Sequence, residues 1–74
     1  MSDITNKVLA VSKPYLGPAT EAFLARQCKM FLKIDMAALA ASHLKELAAC
    51  FETGGRAIMD PAKSTELAQK IAAL

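Results

Sequence analysis

The chain has no tryptophan, one tyrosine and three phenylalanines. Its core must therefore come mainly from Leu, Ile, Met, Phe and Ala, and with 15 alanines it will be thin. Glycine and proline are also scarce, three of each, and no repeat, low-complexity tract or long linker interrupts the 74 residues. The one histidine and two cysteines make no CxxC, HxxxH or HExxH spacing, which leaves a tetrahedral zinc site short of ligands. No apolar run approaches the roughly 18 residues that a membrane span needs. "MSDITNK" has no basic segment leading into an apolar one, so no secretory signal is read there. The expectation is a soluble, cytoplasmic protein with both cysteines as reduced thiols.

Charge of one sign is missing too. Nine basic and seven acidic residues are interspersed for a formal +2, the pattern of a solvated surface. Nucleic-acid binders show clustered Lys and Arg and a domain pI above about 9. The composition argues against nucleic acid as the partner.

What is present is helix propensity, from Ala, Leu, Lys and Glu with few β-branched residues. The expected fold is all-α, a single domain over residues 1–74 built as a bundle of four short helices, at about 3–12, 18–33, 36–53 and 61–73. Ser2 or Asp3 caps the first helix, which carries Ile4, Val8 and Val11 on one side, and Pro14 is expected to stop it by biasing Lys13 away from helical backbone. "GP" at 17–18 reads as a start signal, N-cap then proline at the first helical position. The second helix presents a broad apolar arc of Phe23, Leu24, Gln27, Cys28, Met30, Phe31 and Ile34. Asp35 caps a third helix after a very short connection, and Gly54–Gly55 end it by supplying a left-handed residue. Asp60–Pro61 repeat the start logic for the fourth helix, with Ser64, Leu67, Ala68, Ile71 and Leu74 as its stripe.

Candidate chemistry is sparse. His43 and Cys50 lie on one flank of the third helix but about 10 Å apart along the axis, too far to share a metal. In a tight hairpin, Cys28 and Cys50 are offset by about 13 Å, beyond disulfide reach. No nucleophile–base–orienter set or carboxylate pair can be assembled, and "TGGRA" lacks the spacing of a phosphate loop. No catalytic residue, cofactor or metal is expected. Arg26, Lys29 and Lys33 form a stripe at i, i+3 and i+7, either a solvated face favoured near a helix C-terminus or an anion-binding site.

The corner "PYLGPATEAFL" resembles the Tyr-aliphatic-Gly-Pro-Ala signature of a small helical domain at the ends of bacterial signalling chains, some serine/threonine kinases among them. "LAACFETGGRAIM", residues 47–59, is similar in spacing to that domain's Leu-Ala-aliphatic-Arg-aromatic ending, with Met59 where the aromatic stands. The resemblance covers roughly residues 4 to 59. It implies an accessory or interaction domain without catalytic residues.

A domain this small buries only about 60% of its unfolded surface, so association with another surface would supply missing burial. The expected function is a protein–protein interaction or accessory module, possible in bacterial signalling, with a protein partner or a second copy of the chain. Tyr15, Leu16, Ile58 and Met59, apolar residues at corners, are the candidate patch. The alternative is a nucleic-acid or anionic-ligand binder using the basic stripe.

Overall fold

Ser2 sits in extended backbone (φ −73°, ψ 164°), and its hydroxyl accepts the Thr5 N–H at 3.0 Å. This cap opens α1 (Asp3–Leu16) where the sequence placed it. The computed structural model describes residues 2–74.

Pro14 does not stop α1, contrary to expectation. The helix runs through it to Leu16. Its missing N–H deprives only the carbonyl of residue 10, and Ala10 is exposed, where water can serve instead. Gly17 is the true terminator: at φ +57° it turns the chain, and its N–H donates to the Lys13 carbonyl.

The expected second helix, 18–33, is three pieces. A 3-10 turn (Gly17–Ala19) leads into α2 (Thr20–Gln27), which widens into a π turn (Cys28–Leu32). Gly17 is thus not an N-cap; instead the Thr20 hydroxyl donates to the Gly17 carbonyl at 2.6 Å, knotting the corner. Lys33 ends the π turn in the left-handed region (φ 59°), its N–H donating to the Cys28 carbonyl.

The expected third helix, 36–53, is also corrected. Asp35 does cap, accepting the Ala37 N–H at 3.2 Å, but only for a 3-10 turn (Met36–Ala38). Leu39 and Ala40 are extended, a second 3-10 turn follows (Ala41–His43), and α3 begins later, at Leu44–Gly55. The cause is tertiary. From the first turn of α1, Thr5 donates its hydroxyl to the Met36 carbonyl and Ser2 donates to the Leu39 carbonyl, both at 2.6 Å. These bonds hold carbonyls that a regular helix would have claimed for itself.

Gly54 and Gly55 do not cap α3 either. Both lie inside it, and Gly17 alone among the described glycines has positive φ. They serve close approach instead. A methyl on Gly55 would come within 2.8 Å of Ser64 Oγ, and one on Gly54 within 3.1 Å of Gln27 Nε2. One glycine makes room for α4 (Pro61–Ala72), the other for α2.

Asp60 opens α4 as expected, accepting the Ala62 N–H at 3.1 Å ahead of Pro61. α4 packs chiefly on α3, and α1 lies against α2 and α4. The fold is all-α, with no strand among the described residues. It has three regular helices of 12 to 14 residues (α1, α3, α4) and one short, distorted one (α2) in place of four comparable rods.

Val8, Leu24, Leu39, Leu47, Phe51, Leu67 and Ile71 are all but fully buried in one cluster. Phe23 meets Phe51 edge-on, with ring centroids 4.9 Å apart, in the T-shaped geometry that aromatic quadrupoles favour. The Cα radius of gyration, 10.6 Å, is near the roughly 11 Å of a well-packed chain this long. No helix among the described residues is long and apolar enough to cross a membrane.

Candidate interaction cleft

The π turn decides what the surface offers. An α-helical continuation would have kept Phe31 near the middle of the arc whose members Leu24, Gln27 and Cys28 are buried. With i→i+5 bonding the turn widens, and residues beyond Cys28 lag behind the α-helical phase. Met30 and Phe31 consequently stand 51% and 57% exposed. Across from them, in the turn that follows α3, Ile58 is 56% exposed.

These three line the rim of one cleft of about 510 Å³ between α2 with its π turn and the C-terminal half of α3. Phe23 and Cys50 add to its walls, while Ala49, Gly54 and Ala57 keep the α3 side low. Arg26 is the one charged residue among the lining, and no carboxylate lines it. Arg26 is exposed and joins no ion pair among the described residues, where the pairs are Arg56–Glu52, Lys63–Glu66 and Lys70–Glu66.

Gln27 also lines the cleft. It is only 5% exposed, and its Oε1 is buried without a hydrogen-bond partner. A buried polar atom left unpaired costs about 1–3 kcal/mol. The amide carbon Cδ lies 3.5 Å from where a methyl on Gly54 would stand, so the side chain lies flat against α3.

The residues singled out by sequence fall in different places. Of the expected patch, only Ile58 is exposed; Tyr15, Leu16 and Met59 are half-buried and pack on the core. Tyr15 and Met59 share a second cleft with Lys63 and Lys70. There Lys70 Nζ lies 5.1 Å from the Tyr15 ring centroid, and the Tyr15 side chain holds the ammonium's pKa above its ordinary value. The basic stripe does not act as one face: Arg26 lines the first cleft, Lys29 a separate one beside Glu21 and Asp35, and Lys33 sits in left-handed backbone.

His43 is a backbone cap. Its Nδ1 accepts the Ala40 N–H at 3.0 Å, ahead of α3. Cys28 and Cys50 are free thiols, the first buried and the second half-buried in the cleft wall. Burial pushes the Cys28 thiol pKa up, with Cys50 and Asp35 adding to the shift; burial and then Glu46 do the same at Cys50. Both are thereby kept in the less nucleophilic thiol form. Among the described residues, no three His, Cys, Asp or Glu side chains gather as metal ligands.

Sequence reasoning placed Met30 and Phe31 inward with the rest of the arc. The available signal was the arc's width: seven residues spread over more of the helix than one neighbour can cover. No family model, curated protein or solved structure matches this chain.

Proposed function

We propose that the chain is a small, non-catalytic protein–protein interaction or accessory module whose docking surface is the α2–α3 cleft. The observation that carries this is the convergence of Met30, Phe31 and Ile58, each more than half exposed, on one cleft of a chain whose other large apolar residues are mostly covered. Side chains of this size cost free energy when left in water, about 25 cal/mol per Å² of apolar surface, and a partner recovers it. The absence of catalysis fits the chemistry of the candidate groups: the sole histidine spends Nδ1 on a backbone N–H, and both cysteines are held as thiols. An accessory role also agrees with the resemblance carried by "PYLGPATEAFL". The nucleic-acid alternative gains nothing from Arg26 and Lys29 lining different clefts.

The test is a selection of peptides from a random library against the wild-type protein, counter-selected with the Met30→Ser/Phe31→Ser/Ile58→Ser variant. All three sites are exposed, so the variant should keep its helical circular dichroism and melt within a few degrees of wild type. Binders that need the cleft support docking there. Binders indifferent to the triple substitution, or none, refute it.

A further inference from the structure

The cleft's chemistry narrows the partner, given the docking reading above on which this step rests. We infer that the α2–α3 cleft takes an amphipathic helix of another protein, its apolar stripe seated between Phe31 and Ile58 and an acidic side chain placed on Arg26. Four observations converge on that occupant.

Charge comes first. The lining holds one cation and no carboxylate, and Arg26 has no ion-pair partner among the described residues. An occupant carrying an acid beside its apolar groups completes this arrangement. Two copies of this chain meeting cleft to cleft would bring Arg26 to its own like, with no carboxylate between them.

Next is the unmet amide. Gln27 is nineteen-twentieths buried, lines the cleft, and has an oxygen with no partner. Rotation about χ3, a soft torsion in glutamine, turns either amide atom toward an occupant. A polar side chain beside the partner's acid would satisfy it.

The third is extent. A small molecule filling 510 Å³ would leave the outer surfaces of Met30, Phe31 and Ile58 in water. A helix about 10 Å across covers the rim as well as the floor.

The last is backbone. With no strand among the described residues, there is no sheet edge for an extended peptide to pair with. A helix satisfies its own N–H and C=O groups and needs only side-chain contacts.

The experiment titrates the 15N-labelled protein with two synthetic 16-residue alanine-rich peptides. Both carry leucine at i, i+3, i+4 and i+7; one has glutamates flanking the stripe and the other lysines. The acidic peptide should shift the amide signals of Phe23, Met30, Phe31, Cys50 and Ile58 and bind at least tenfold tighter than the basic one. Arg26→Glu, a surface change that leaves the melting curve in place, should reverse the order. Equal binding of both peptides at the cleft overturns the acidic-partner assignment while leaving docking at the cleft intact. No shift with either peptide overturns the helix assignment; the library selection then decides the docking reading separately. Cleft signals that move with protein concentration alone would also overturn it, by naming a second copy as the occupant.

Discussion

Gly55→Ala is the substitution on which the packing of α3 against α4 can be judged. An isolated helical glycine replaced by alanine gains about 1 kcal/mol from propensity. Here the new methyl would lie 2.8 Å from Ser64 Oγ, 3.1 Å from Met59 Cε and 3.4 Å from Ser64 Cβ. Ser64 cannot yield cheaply. Its hydroxyl proton is shared between the Phe51 carbonyl at 3.1 Å and the Glu52 carbonyl at 2.6 Å, and the latter belongs to the last turn of α3, where carbonyls lack helical donors. Overpacking costs about 1–3 kcal/mol and losing this hydrogen bond about 1 kcal/mol more. After the propensity gain, the net is a destabilisation of about 1–3 kcal/mol. At about 4–8 °C per kcal/mol for a domain this size, the midpoint falls by roughly 5–20 °C. Thermal and urea unfolding followed by helical circular dichroism measure it. Gly55→Ala/Ser64→Ala removes the oxygen in the way, so its loss should fall short of the two single losses summed, by about 1 kcal/mol. A stabilised single variant, or strict additivity, would refute the close approach.

Gly17→Ala isolates backbone strain, because no atom lies within 4 Å of the added methyl yet φ is +57° and ψ −131°, a region open essentially to glycine; it should cost about 1–3 kcal/mol in urea unfolding, and no loss would mean α1 ends differently. Thr5→Val removes the buried hydroxyl bound to the Met36 carbonyl, so we expect a loss of about 1–3 kcal/mol and faster hydrogen exchange across residues 36–40. For pH, the sign follows from Cys28, whose pKa is raised on folding from an ordinary 9.0. The folded state then holds its proton where the unfolded chain releases it, so this stabilising term is complete below about pH 9 and is lost as pH rises through the folded pKa. Unfolding curves from pH 7 to 10.5 should show the decline; Cys50 is raised in the same sense, so Cys28→Ala should reduce the decline and Cys28→Ala/Cys50→Ala should reduce it further. Thiol labelling should reach half-buried Cys50 well before Cys28; equal rates would contradict the burial difference.

Where structure is decided by neighbours in sequence, the sequence was mostly a sufficient guide. Ser2 and Asp60 cap the helices they precede, because a side-chain oxygen two or three residues away from the N–H it accepts needs no help from the rest of the fold. Val8, Leu47, Phe51 and Leu67 are buried as their spacing implies. The failures at residues 36–43 and at Gly54–Gly55 are long-range, whereas those at Pro14 and Gly17 turn on neighbours, the carbonyl of exposed Ala10 and a positive φ. Residues 36–43 read as one α-helix, and there hydroxyls from more than thirty positions earlier bond the Met36 and Leu39 carbonyls, beside the local His43 cap on the Ala40 N–H. The Gly54–Gly55 pair reads as punctuation, but its role depends on which helices lie alongside. The cleft was hardest to foresee: Met30 and Phe31 belong to an apolar arc by composition, and a π turn with no distinctive residue exposes them.

That π turn also makes the chain sensitive to length in one place. A π turn holds one residue more than an α-helical turn joining the same two ends. Deleting a single residue from 28–32 would let the segment rewind as ordinary α-helix without moving its anchors, whereas a deletion inside α3 would throw every following side chain out of phase. The site of the deletion sets the outcome: losing Leu32 leaves Phe31 three α-helical steps after Cys28 and turns it back among Leu24, Gln27 and Cys28, whereas losing Lys29 or Met30 moves Phe31 up one position and keeps it outside that arc. One codon in this window can therefore close the apolar cleft or leave it open, depending on which residue it encodes.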